Sequence, residues 1–131
     1  MNTVYITMKS TDMRVSLPAT LEAAGAEYGL FEITGKLGPC PKSGVYLCAD
    51  FVDSSLVEGT VLPVLRRIKF SQQKDQSGAV RKTYNPVLYV PVIRNRLDDF
   101  RLYITDAEGD LVPFEICSLN CTLVATLSRN I

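Results

Sequence analysis

The chain has 131 residues and a mass of 14.5 kDa, with 14 basic residues matched by 14 acidic ones and neither His nor Trp. That length suits one domain with its own core, is short of two, and needs neither disulfides nor metal to fold. Zero net charge excludes a wholesale polyanion binder, and the lack of His removes the commonest general base, zinc ligand and partner of a catalytic Ser or Cys.

Along the chain the apolar residues recur at every second position, the period of half-buried strands. Thr3–Met8 and Met13–Leu17 flank a Lys-Ser-Thr-Asp turn, which predicts a hairpin or one strand with a sharp bend, and Pro18 ends the second strand. Residues 21–27 (LEAAGAE) predict a loop or a short helix, and Tyr28–Ile33 a third strand. After a Gly- and Pro-rich loop at 35–44, Val45–Val52 reads as a fourth strand with Tyr46, Cys48 and Asp50 on one face and apolar residues on the other. Pro63 demotes the start of segment 61–70 to an edge or bulge, while Leu65–Phe70 alternates as a strand.

Residues 71–83 (SQQKDQSGAVRKT) are polar and aperiodic and predict a mobile hairpin loop. Tyr84–Val92 carries Pro86 and Pro91, two positions without a ladder donor, and so predicts an edge strand. Asp99–Thr105, a turn at 106–110 in which Gly109 takes a positive φ, Leu111–Ile116 and Leu119–Leu127 complete eight or nine short strands with no convincing helix. Turn signals about every 8–12 residues fit an all-β chain, a compact antiparallel β-sandwich of jelly-roll type, as one domain over residues 1–131.

Motifs for chemistry fail at their second element. Cys40 and Cys48 are separated by seven residues, and Cys117 and Cys121 by three. Neither spacing suits a zinc knuckle or a thioredoxin pair, and buried free thiols fit better. Ser71 and Lys74 match a Ser-x-x-Lys pattern, but Lys82-Thr83-Tyr84 stands where Lys-Thr-Gly is required. Gly29–Lys36 has five residues between its glycines where a phosphate loop needs about four, and Leu37 replaces the metal-binding hydroxyl. Asp53-Ser54-Ser55 lacks the Gly of an aspartic protease. Asp106, Glu108 and Asp110 alternate as calcium loops do but lack the sixth-position Gly and twelfth-position Glu of about 12-residue loops, which favours a solvated turn. Asn120-Cys121-Thr122 fits a glycosylation acceptor by accident, because MNTVYITMKS is no signal peptide. The apolar stretches are too short for a membrane span, and a location in a virion or inside a cell is expected.

The neutral total conceals segregation. Residues 1–60 hold 4 basic and 7 acidic groups, residues 61–97 hold 8 and 1, and residues 98–131 hold 2 and 6. The basic block is Arg66, Arg67, Lys69, Lys74, Arg81, Lys82, Arg94 and Arg96; the acidic block is Asp98, Asp99, Asp106, Glu108, Asp110 and Glu115. Such blocks pair with each other within one sheet, pair across a subunit boundary, or leave the basic face to an anionic partner such as packaged nucleic acid.

Several segments carry a resemblance. Leu17-Pro18, the Tyr-Gly-Leu-Phe-Glu-Ile strand at 28–33, Val45-Tyr46-Leu47-Cys48-Ala49-Asp50 and Leu62-Pro63-Val64-Leu65-Arg66-Arg67-Ile68 occur in an order similar to uncharacterised proteins of Maverick/Polinton-type transposons and related animal DNA viruses. The tail is similar too: Tyr84–Val92, Asp98–Asp106, Gly109, Pro113-Phe114 and Cys121-Thr122-Leu123 follow the strand, Gly turn, Pro-Phe and closing Thr-Leu strand of those sequences. Where that tail ends in a basic, aromatic strand, this one ends Ala-Thr-Leu-Ser-Arg-Asn-Ile. The resemblance implies a jelly-roll capsid or virion-surface protein, and 131 residues restrict it to less than a double jelly roll.

The expectation is thus a non-enzymatic structural protein that self-assembles, as capsid, penton or virion-surface component, with no catalytic, cofactor or metal residue. Its partners would be copies of itself or other capsid proteins, with non-specific contact to packaged nucleic acid. Arg66, Arg67, Lys69, Tyr84, Tyr89, Arg94, Arg96, Asp98 and Asp99 are the expected interface, on the strands at 62–70 and 84–92 and the charged stretch that follows. The rival is a ligand-binding sandwich, lectin-like or adaptor, that recognises a glycan or host protein through the 71–83 loop and the open edge. Tyr5, Tyr28, Tyr46, Tyr84, Tyr89 and Tyr103 would then offer stacking surfaces.

Overall fold

A computed structural model of the chain describes residues 3–22, 25–35, 44–69, 80–112 and 119–127. Eleven strands are found among them: β1 (Thr3–Met8), β2 (Asp12–Glu22), β3 (Ala26–Gly35), β4 (Val45–Ala49), β5 (Ser55–Val57), β6 (Thr60–Leu62), β7 (Val64–Ile68), β8 (Val80–Thr83), β9 (Val90–Pro91), β10 (Arg96–Thr105) and β11 (Leu119–Leu127). There is no helix among the described residues, and hence none long and apolar enough to cross a membrane.

One sheet runs β1-β11-β3-β8 with β9 also on β3, the other runs β2-β10-β4-β7, and every pairing is antiparallel. The pairings nest: β1 with β11, β2 with β10, β3 with β8, β4 with β7. A long hairpin whose arms pair in this nested order and then roll up, with β11 also on β3 and β10 also on β4, is a jelly roll. The sandwich predicted from the alternating pattern is therefore present, with eleven strands instead of eight or nine because two short hairpin strands and a two-residue edge strand add to the eight that make the roll.

The core lies between the sheets. From one side come Ile6, Met8, Tyr28, Leu30, Ile33, Leu119, Cys121 and Leu123; from the other Val45, Leu47, Leu65, Ile68, Leu97, Phe100, Leu102 and Ile104. Phe51, fully buried just beyond β4, bridges them, with its ring edge-on to Tyr28 at 5.6 Å and to Phe100 at 4.9 Å between centroids. In β3 an extra residue, Phe31, bulges between Leu30 and Glu32, so that Leu30 and Ile33 both point inward despite their odd spacing.

Several expectations are corrected. β1 and β2 are not a hairpin: they belong to opposite sheets, and the chain bends across the sandwich at 9–11. Pro18 does not end β2, which runs on to Glu22. It falls where the pairing shifts between Asp99↔Ser16 and Leu97↔Leu21, on an edge strand, so no ladder donor is needed there. Residues 21 and 22 are strand and Gly25 is a turn, so no helix forms at these described positions. The face of β4 bearing Tyr46 and Cys48 is not polar. It is covered by a second apolar cluster with Leu62 and Ala107, supplied by the unforeseen β5–β6 hairpin and the 106–110 turn. That hairpin turns at Glu58 (φ 47) and Gly59 (φ 90), both left-handed, as a two-residue turn between antiparallel strands requires. Gly109 takes the expected positive φ, 88.

Residues 80–83 of the expected loop are β8; within 84–92, Val90 and Pro91 pair with Tyr28 and Glu27 at the sheet edge, and Val92 forms a single bridge to Val52. Of Leu111–Ile116, Leu111 forms a single bridge to Thr105, and 113–118 lie outside the described residues, as do 70–79.

Candidate functional site

The nested topology decides which charges meet. It brings the first third of the chain against both later blocks, because β2 lies beside β10 and β3 beside β8. Ion pairs follow that geometry: Arg14 with Asp99 at 3.2 Å, Arg81 with Glu32 at 3.8 Å, Arg94 with Asp50 at 3.0 Å, and Arg101 with Asp12 through two bonds of 2.7 and 2.8 Å. None of these four ion pairs joins the basic block to the acidic block; in each, one partner belongs to the first 60 residues.

The expected interface residues separate into distinct settings. Arg94 is a clamp: besides Asp50, it donates from Nη1 to the Asp99 carbonyl at 3.0 Å, while Asp50 also accepts the Arg101 amide at 3.1 Å. Asp98 is exposed and accepts the Asp99 amide at 2.9 Å, at the point where the pairing of β10 with β2 shifts. Arg96 is exposed opposite Glu22, and Tyr89 is half-buried. Arg67 lies on the outer side of β7 with its guanidinium 5.8 Å from the Tyr46 ring centroid.

Arg66, Lys69 and Tyr84 are brought together, and Lys82 joins them. Arg66 is opposite Leu47 and Lys82 opposite Ile33, two core residues, so both cations point inward from edge strands of facing sheets. There the Arg66 guanidinium stacks on Tyr84 at 4.2 Å, and the Tyr84 amide is held by the Phe31 carbonyl at 2.8 Å. Arg66 Nη1 and Tyr84 Oη are both buried and make no hydrogen bond. Burial, then the charges of Arg66 and Lys69, push the Lys82 ammonium below its usual range, and burial pushes the Tyr84 phenol up. Among the described residues no carboxylate lies in ion-pair reach of Arg66, Lys69 or Lys82. The sequence marks the block but not this group, since β7 and β8 meet only through the roll.

The other chemistry-bearing residues are accounted for structurally. Cys48 and Cys121 are buried free thiols on opposite sides of the packing, one in the outer cluster and one in the core, and so cannot share a metal. Burial pushes Cys48 up to about 11 and Cys121 to about 12. Cys40 and Cys117 lie outside the described residues. Carboxylate oxygens of Asp106, Glu108 and Asp110 gather within 4.8 Å, but Asp106 Oδ1 already accepts the amides of Glu108 and Asp110 at 3.0 Å, the pattern of a self-capped turn. The tyrosines form no common platform: Tyr28 is in the core, Tyr46 in the outer cluster, Tyr84 beneath Arg66, and Tyr5 stands exposed on β1.

Fold and site together define a small jelly-roll sandwich with a cationic group at one open edge. No protein-family profile matches the chain, and no curated protein matches it.

Proposed function

We propose that this chain is a non-enzymatic structural protein of a virus or virus-derived element, a capsid, penton or virion-surface component that acts by self-assembly. The observation that carries the reading is the nested strand order, which is that of the sandwich from which viral capsids are commonly built. The similarity of strands 28–33, 45–50 and 62–68 to proteins of Maverick/Polinton-type elements supports it. So do two features of the surface. The β5–β6 hairpin presents Leu56 opposite Val61, 73% and 65% exposed, an apolar pair raised above the sheet. The two described cysteines are held as thiols by burial, so neither is an activated nucleophile.

Assembly would join copies by face and edge packing, with further copies or other capsid proteins as partners. Size-exclusion chromatography with light scattering, followed by electron microscopy, tests this. Rings or shells are expected, and Leu56→Asp should shift the distribution toward monomer. A monomer at all concentrations and salt conditions that binds a glycan or host protein would replace this reading with the ligand-binding module.

A further inference from the structure

The cationic group between β7 and β8 is an arrangement that a folded chain does not hold for its own sake. Two inward-pointing cations, Arg66 and Lys82, face each other across the sandwich edge with Lys69 beside them, and no carboxylate among the described residues balances them. A buried guanidinium nitrogen without a partner and a buried phenol without a partner carry the full cost of desolvation. Strained like charges next to unsatisfied donors are the mark of a site organised for an anion.

We infer that Arg66, Lys69, Lys82 and Tyr84 form a binding site for a phosphate group. A planar guanidinium offers paired N–H donors to an oxyanion, the ammoniums act as point charges, and the phenol adds a neutral donor. Three cations exceed what one carboxylate would neutralise and match the charge of about −1.5 to −2 on a phosphate monoester. The Arg66 guanidinium lies 4.2 Å over the Tyr84 ring, a cation–π contact that holds it in place beside the phenol. The inference does not depend on self-assembly and holds equally for a monomer.

Two sources of phosphate, the free ion and a nucleic-acid strand, share this chemistry, and titration of the full chain followed by NMR separates them. Inorganic phosphate up to about 10 mM is expected to shift the resonances of Arg66, Lys69, Lys82 and Tyr84, leaving the paired Arg14 and the exposed Arg96 unmoved. Phosphate should also slow acylation of Lys82 by an amine-reactive reagent, read by mass spectrometry. Arg66→Gln should weaken binding about tenfold or more. Lys69→Gln, an exposed change that leaves the fold intact, should weaken it severalfold.

A single-stranded oligothymidylate that displaces phosphate from the same residues, with a log–log salt slope of about −2 for three cations, assigns the nucleic-acid source. One that binds nowhere while phosphate still binds assigns the free ion. The proposal is overturned if phosphate and oligonucleotide both leave these resonances unmoved, if the shifts spread evenly over all surface cations, or if affinity is the same in Lys69→Gln and Arg66→Gln as in the natural chain.

Discussion

Replacing Phe51 probes the contact that joins the two sheets. The ring is fully buried and meets Tyr28 of one sheet and Phe100 of the other edge-on, at 5.6 and 4.9 Å. Phe51→Ala removes the transfer energy of the ring and leaves a cavity between rigid sheets, together about 3–5 kcal/mol. Phe51→Leu keeps most of the apolar volume and loses the two ring–ring contacts, about 1–2 kcal/mol. A domain with about 5–15 kcal/mol in total feels both, the first severely. Urea unfolding followed by tyrosine emission is a clean assay, since the chain has six Tyr and no Trp. With a slope of about 2 kcal/mol per molar, the alanine variant should unfold about 2 M earlier and the leucine variant less than about 1 M earlier. A double-mutant cycle of Phe51→Leu with Phe100→Leu should show a coupling of about 0.5–1.5 kcal/mol. Equal midpoints for the alanine and leucine variants would refute the assignment of the larger share of the loss to buried volume, and a coupling of zero would refute the added contribution of the ring pair.

Gly29→Ala should destabilise the fold by about 1–3 kcal/mol, because a Cβ there would lie 2.4 Å from Val87 Cγ1 and 2.5 Å from the Leu88 carbonyl oxygen; thermal unfolding reads it. In a Cys40→Ser, Cys117→Ser background, Cys48 and Cys121 should resist a thiol reagent at pH 8 until the protein is unfolded. The raised thiols also set an alkaline limit. The unfolded chain releases these protons near 9.0 and the folded chain only at about 11 and 12, so their contribution is complete below 9 and is lost as pH climbs through that window; Cys121→Ala should flatten that part of a pH–stability curve. On the acid side, the Arg101 bond holds the Asp12 carboxyl below its usual 3.8, so the stability it adds is present above that value and lost as pH falls beneath it. The pair is exposed, and Asp12→Asn should cost no more than about 1 kcal/mol at pH 7 and progressively less as pH falls below 3.8.

How much was legible in the sequence depends on which residues decide each feature. The first and last strands, Thr3–Met8 and Leu119–Leu127, match the alternating pattern to the residue because one face of each meets the core and the other meets water. Pro18 misleads, since a bulge on an edge strand needs no donor at that point, and only the partner strand reveals the bulge. The β5–β6 hairpin was hidden because its turn begins with Glu58, a residue that enters the left-handed region far less readily than Asn or Gly. Once that hairpin covers β4, a strand with polar-looking residues on one face becomes buried on both. The charge blocks were visible, yet their partners were not: pairing follows the nested strand order, which brings Arg14 to Asp99 across 85 positions. The sequence marks Arg66, Lys69 and Tyr84 one by one, whereas their convergence with Lys82 exists only after the sheets close.

The place of β11 in its sheet has a kinetic meaning. It lies between β1 and β3, so the middle of that sheet is empty until the residues nearest the end of the sequence arrive, and Thr7 must wait for Asn120 to complete a 2.9 Å hydrogen bond across 113 positions. Pairings this distant place the chain among slow folders, in the range of about milliseconds to seconds typical of sandwich folds. During synthesis β1 and β3 would each present a bare edge with no strand between them, and a chain stalled before residue 119 would be a sheet with its keystone missing and two surfaces open to aggregation.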